Sequence, residues 1–403
     1  MPGALSHLRV LDLSRVLAGP WATQLLADLG AEVVKVERPG SGDDTRAWAP
    51  PYLRDASGAS TGESAYYLAA NRNKKSITLD ISRPEGQAVA RRLAARSDVL
   101  VENYKVGALA RYGLDHDALQ RLNPRLVYCS ITGFGRTGPY RHRAGYDFLV
   151  QAMGGLMSIT GEPDGAPMKV GVAMTDILTG MYAATAILAA LAARDRTGRG
   201  QRIDLALLDV QVASLANQAS NYLVSGTPPG RLGNAHPNVV PYQAFVASDG
   251  ELVVAVGNDA QFVRLVEAGG APSLGTDPRF ATNADRVRNR DVLVPLLARM
   301  FLGRTRGEWV ALLDEAGVPC GPINDLAAVF GDPHVRERGL RIDLPHPLAG
   351  TAPTVACPIK LSETPVEYRT APPLLGEHTR AVLAELAGLT EGDIDELAER
   401  GVV

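Results

Sequence analysis

The stretch RVLDLSRVLAGPWATQLLADLGAEVVKVE, Arg9 to Glu37, decides the fold. Arg9 to Leu13 (RVLDL) reads as a strand. Pro20 to Leu29 reads as a helix, with proline at its start and Gly30 at its stop. Glu32 to Glu37 (EVVKVE) reads as a second strand. The same alternation continues outward. Ser76 to Ile81, Asp98 to Glu102 and Leu126 to Thr132 are strand-like, and Pro84 to Arg96 is helical. A tight Gly198-Arg199-Gly200 turn leads into a further strand, Gln201 to Leu207. Strands separated by helices of this length predict an α/β fold with a mostly parallel, Rossmann-like sheet covered on both faces. The polar, Pro- and Gly-bearing loop from Asp43 to Glu63 interrupts the pattern.

At 403 residues the chain has room for a second domain. Ser225 to Pro237 (SGTPPGRLGNAHP) has the composition of a linker. Beyond it, AFVAS, the turn Asp249-Gly250 and ELVVAVG form a hairpin signal. We therefore expect a large domain at 1–225, a smaller α+β domain at 226–324, and a segment at 325–403. Pro372 and Pro373 open a last helical stretch that returns to the large domain.

Composition excludes several classes. A net charge of −3 with scattered arginines gives no basic stripe, so no nucleic-acid partner is expected. The N-terminus has no charged start followed by an apolar core, so it does not read as a signal peptide. The apolar run Met181 to Ala193 is too short for a membrane span and reads as a buried helix. Cys129, Cys320 and Cys357 have neither metal spacing nor disulfide arithmetic, which fits a reduced, cytoplasmic setting. Gly133-Phe134-Gly135-Arg136-Thr137-Gly138 matches a dinucleotide fingerprint, but Pro139 and a run of arginines follow where a helix is needed.

Asp176 stands just before the long apolar helix and is the only acid between Asp164 and Asp195. It reads either as a helix cap or as a nucleophile that forms an acyl–enzyme anhydride. Arg38 follows a strand end, where open α/β sheets bind ligands. Its guanidinium suits a phosphate or an adenine face, or it is an ordinary surface arginine paired with a nearby acid. Asn103 and Tyr104 follow another strand end and lead toward Arg111. His236 lacks a second metal ligand at useful spacing, so no zinc site is expected. It reads as an acceptor-carboxylate contact or as an ordinary loop histidine. Arg46 and Arg72 are further carboxylate-binding candidates on charge alone.

Taken in order, VLDLSRVLAGPWATQLLADLGAEVVKVERPG, NRNKKSITLD, VENYKVGAL, NPRLVYCSITGFG, the Asp176 segment with RTGRGQRID, GVPCGPI and APPLLGEHT resemble the class III CoA-transferases. The resemblance runs over nearly the whole chain. It implies Asp176 as the catalytic aspartate. It implies Val16, Leu17, Ala18, Arg38, Leu79, Asp80, Asn103, Tyr104 and Arg111 as CoA contacts. Tyr146 and Asp147 match a Tyr–acid pair near the thioester. It further implies a homodimer of interlocked, ring-like protomers, with CoA and acyl-CoA as substrates and no tightly bound cofactor.

Residues 233–238 lack the glycine run of formyl-CoA transferase. RLGNAHPNVVPYQAF and DGELVVAVGND instead look like the succinate–hydroxymethylglutarate CoA-transferase branch. The expected reaction moves CoA from a donor such as succinyl-CoA to a dicarboxylic or hydroxy acid, through an anhydride and a thioester on Asp176. Free N–H groups of the helix that starts near Asp176 would hold the oxyanion. The alternatives are a 2-methylacyl-CoA racemase and a non-catalytic acyl-CoA binder. Tyr146 stands where the racemase branch carries histidine and is a poor base near neutral pH.

Overall fold

The computed structural model describes residues 2–403. Six parallel strands form the main sheet: β1 (Arg9–Asp12), β2 (Glu32–Glu37), β3 (Lys74–Thr78), β4 (Val99–Glu102), β5 (Val127–Thr132) and β6 (Arg202–Ala206). Their spatial order is β3-β2-β1-β4-β5-β6. This is a doubly wound sheet, and the order reverses between β1 and β4.

Alternate strand residues point to opposite faces, and each face has its own core. Leu11, Val34, Ile77 and Leu100 pack on α2 (Pro84–Ala95) through Val89 and Leu93. Val10, Val33, Val99 and Val127 pack on α1 (Ala18–Asp28) and on a long helix, α4 (Met174–Thr197). Helix α3 (Asp147–Met153) precedes α4. The helix read as Pro20 to Leu29 starts two residues earlier, at Ala18. Proline is tolerated there because first-turn N–H groups have no intrahelical partner.

The chain divides into two compact units. One comprises 1–155, 170–219 and 333–403, the other 156–169 and 220–332. These bounds differ from the 225/226 and 324/325 junctions expected above, and 156–169 joins the second unit. That unit holds β7 (Tyr242–Ala247) and β8 (Gly250–Ala255), paired as the Asp249-Gly250 turn predicted, with β9 (Cys320–Pro322) beside β8. Its core is aromatic. Phe245 stacks on Phe301 at 4.6 Å, and the Trp309 indole N–H donates to the Phe301 carbonyl.

The segment at 333–403 does return to the first unit. Thr379 Oγ1 accepts from the Thr78 N–H, and Asp80 N–H donates to the Val402 carbonyl. Val382, Leu386, Ile394 and Val402 complete the α2-side core.

The buried-helix expectation for Met181 to Ala193 needs correction. Ala183, Ala184, Ile187, Ala190 and Leu191 are buried, but Met181, Tyr182 and Leu188 are 51%, 49% and 37% exposed. The helix is also longer than the apolar run suggested. By length and composition alone its 24 residues are enough to cross a membrane. Five of its apolar residues pack in the core beneath the sheet, while Met181, Tyr182 and Leu188 on its outer face stay exposed.

Candidate active site

Most of the singled-out residues lie past the carboxyl ends of the parallel strands. Residues 14–18 follow β1, Arg38 follows β2, Leu79 and Asp80 follow β3, and Asn103 and Tyr104 follow β4. This is the crevice that open α/β sheets offer to ligands. Across the order reversal, Arg15 N–H donates to Asn103 Oδ1 at 2.9 Å and Asn103 Nδ2 donates to the Arg15 carbonyl at 2.7 Å.

Val16 adopts φ +71°, a conformation a β-branched residue rarely tolerates. Its N–H donates to the Asp43 carboxylate at 3.2 and 3.3 Å. Asp43 is fixed in turn by the fully buried Lys35 at 2.8 Å, and Lys35 also donates to the Ser14 carbonyl. Burial raises the Asp43 carboxyl pKa, but Lys35 and Thr45 bring it down to about 2. A buried ion pair thus holds a strained turn in place. After that turn the N–H groups of Leu17, Ala18 and Gly19 have no hydrogen-bond partner among the described residues.

A cavity of about 450 Å³ is lined by Val16, Leu17, Ala18, Asn103, Tyr104, Tyr146 and Asp176, among others. A neighbouring cavity of about 330 Å³ is lined by Arg38, Leu79, Asp80, Ser82, Tyr104 and Tyr112. Arg15 and Tyr104 line both. Ten of the twelve residues carried over by resemblance therefore border one of two adjoining cavities.

Asp176 is only 9% exposed, and its carboxylate has no hydrogen-bond donor or cation among the described residues. It does not cap its helix. It occupies the third position of α4, where Ala173 is the N-cap. Gly180 lets α4 close on α1. A Cβ there would come within 2.7 Å of the Ala18 carbonyl. Burial first, then the charge of Asp147, raise the Asp176 pKa to about 7.

Three expectations need revision. Asp147 does not line the cavity. It is buried, and its Oδ1 accepts the N–H groups of Thr175 at 2.8 Å and Asp176 at 3.2 Å. Gln151 holds the other oxygen at 2.6 Å. Asp147 caps α4 from another segment, so the α4 N–H groups at Thr175 and Asp176 are already committed. They are not available to an oxyanion. Arg46 and Arg72 are also committed internally. Arg46 makes paired 2.8 Å bonds to Glu37 and lies 3.6 Å over the Tyr67 ring. Arg72 donates to Asp28 and to the Val355 carbonyl. Their charges are satisfied by residues that sequence order does not connect to them.

Arg111 is exposed, with its guanidinium over the adjacent Tyr112 ring, and borders neither cavity. His236 lies in the second unit. Its Nδ1 accepts the Asn238 N–H and its ring packs on Tyr242 at 5.3 Å. Sequence reasoning passed over Arg141, His142 and Arg143 as cavity residues, although it noted the arginine run after Pro139. No cluster among the described residues could hold a metal.

Comparisons with known proteins bear on the family. The profile described as CoA-transferase family III matches residues 5–379. The chain is 53% identical to succinate–glutarate CoA-transferase of Agrobacterium fabrum, over 95% of each chain. It is 46% identical to succinyl-CoA:glutarate CoA-transferase of Mus musculus, over 99% of this chain and 90% of the other. The crystal structure of a CAIB/BAIF family protein from Brucella suis superposes with a TM-score of 0.84 at 50% identity, covering 96% of this chain and all of that one. The chain belongs to CoA-transferase family III.

Proposed function

We propose that this CoA-transferase moves CoA from succinyl-CoA to glutarate or a similar dicarboxylic acid, with Asp176 as the acyl carrier. The observation that carries the proposal is the Asp176 carboxylate, unpaired among the described residues. It borders the same cavity as the strained 16–18 turn. The named activities of the relatives support the choice of acids.

The chemistry follows from the residues. An Asp176 oxygen attacks the succinyl thioester carbonyl, and CoA leaves as thiolate. The thiolate attacks the Asp176 carbonyl of the mixed anhydride and releases succinate. Glutarate then attacks the aspartyl-CoA thioester and expels the thiolate again. The thiolate finally attacks the glutaryl carbonyl and frees the Asp176 carboxylate. One thioester replaces another, so no ATP is consumed. Each addition builds an oxyanion. The uncommitted N–H groups of Leu17 and Ala18, at the start of α1, are suited to hold it. The adjoining cavity with Arg38, Asp80 and Tyr104 suits the nucleotide end of CoA.

The test is incubation with succinyl-CoA and a panel of acids, with new thioesters read by mass spectrometry. Glutaryl-CoA is expected. Hydroxylamine added during turnover is expected to modify Asp176. Exchange of the α-hydrogen without any acceptor acid would instead indicate racemisation.

Asp147→Asn gives a separate check. Asparagine keeps an oxygen for the α4 N–H groups but removes the charge that helps raise the Asp176 pKa. The acid limb of the pH–rate profile is expected to move to lower pH, with some loss of stability from the broken Gln151 contact.

The uncovered α4 face supports the homodimer. Sedimentation is expected to give about twice 42.7 kDa. Three unpaired cysteines support the cytoplasmic reading.

A further inference from the structure

The cavity at Asp176 holds one acid and several bases. Arg15 is tied to Asp44 at 2.7 Å. Lys105, Arg141 and His142 have no side-chain partner that fixes them among the described residues. Arg143 differs from all of these. Its guanidinium carbon lies 4.8 Å from the Tyr140 ring centre and 5.3 Å from that of Phe134. The two rings meet edge to face at 5.7 Å, and Phe134 is buried. One Arg143 nitrogen reaches the Met153 sulfur at 3.8 Å, a weak acceptor.

The guanidinium is therefore held in place by aromatic faces and faces no carboxylate among the described residues. Ring stacking immobilises arginine while leaving its planar fork of donors free. Such a fork matches a carboxylate with two parallel bonds. A cation arranged in this way, lining the same cavity as Asp176, is preorganised for a second anion.

We propose that Arg143 receives the carboxylate at the far end of the acyl group, the one not joined to CoA, and so selects dicarboxylic over monocarboxylic acids. The inference rests on the reading of Asp176 as acyl carrier. Donor and acceptor acids occupy the same place in turn, so Arg143 serves both.

The experiment compares glutarate with pentanoate as acceptors for wild type, Arg143→Ala and Arg143→Lys. In a double-displacement reaction, kcat/KM for the acceptor does not depend on the donor. Arg143→Ala is expected to lower kcat/KM for glutarate roughly 100-fold, the scale for truncating a hydrogen-bonded charge pair. Pentanoate is expected to change less than about threefold, as no anion is lost from its contact. Arg143→Lys keeps charge but not the fork, and is expected to fall between the two. Inhibition by free CoA is expected to stay unchanged.

An equal loss for both acids, weakened inhibition by CoA, or loss of the glutarate preference in Arg141→Ala instead would each overturn the proposal. Hydroxylamine labelling of wild type separates the two readings. A label at Asp176 with an unchanged acid preference in Arg143→Ala removes only this inference. A changed preference without that label removes the carrier, and with it the claim that one place serves donor and acceptor in turn, and keeps only Arg143 as the contact that selects dicarboxylic acids.

Discussion

Asp176→Ala is expected to lower the rate of CoA transfer by roughly 10⁴-fold or more, because the proposed nucleophile is lost. The measurement is glutaryl-CoA formed from succinyl-CoA, with circular dichroism to verify the fold. Asp176→Asn is expected to be equally inactive and more informative. In the wild type the pKa is raised from 3.8 to about 7, by burial and by Asp147. A carboxylate acting as the proposed nucleophile must be ionised, so the wild-type rate is expected to fall as pH drops through 7.

The same shift has a thermodynamic sign. A carboxyl with a raised folded-state pKa binds a proton more readily in the folded than in the unfolded chain. Folding stability therefore decreases as pH rises from about 4 to about 7. Asparagine carries no charge to bury. Asp176→Asn is thus expected to unfold at higher denaturant than wild type at pH 8, with the difference vanishing below pH 4. Dead but stabilised is the signature of a group kept for chemistry. A variant that is inactive and less stable at pH 8 would point to a structural aspartate.

The second large effect is expected at Arg72→Ala. Arg72 donates to Asp28 through two nitrogens and to the Val355 carbonyl, and both charged side chains are almost fully buried. Its guanidinium also lies over the Tyr368 ring at 5.5 Å. Removing one partner leaves a charge buried alone, which costs about 3–5 kcal/mol. Urea unfolding is expected to show this as a lowered midpoint. Arg72→Lys should recover only part of it, because an ammonium cannot reproduce the paired bonds. Asp28→Asn combined with Arg72→Met should recover more, since no uncompensated charge remains.

Arg46 and Arg72 mark the limit of what the sequence makes legible. The strands were legible because Val, Leu and Ile crowd them and helices of regular length separate them. The strand-end position of Arg38, Asn103 and Tyr104 followed from that order. The partners of Arg46 and Arg72 did not, because Glu37 and Asp28 meet them only through folding. Asp147 read as a site-lining acid by position, yet it turns inward to the α4 backbone. Arg143 was one of several basic residues until Phe134 and Tyr140 distinguished it. The α4 helix looked buried on all sides because composition records how apolar a helix is, not how much of it the rest of the chain covers. The hairpin Arg341–His346 with Gly350–Val355 lacks the Asp-Gly turn that marks the β7–β8 hairpin in the sequence.

The docking of Thr379 and Val402 onto β3 and the loop beyond it carries a consequence for synthesis. A nascent chain makes five strands of the main sheet within its first 132 residues, but the layer that seals one side of them emerges hundreds of residues later. Until then Leu11, Val34 and Ile77 lack part of their cover on the ribosome. The intervening unit, with its own aromatic core, is free to form during that wait. Completion of the oldest part of the molecule is thus deferred until residues 379–402 have emerged, and a product truncated before them is expected to be greasy and a target for chaperones.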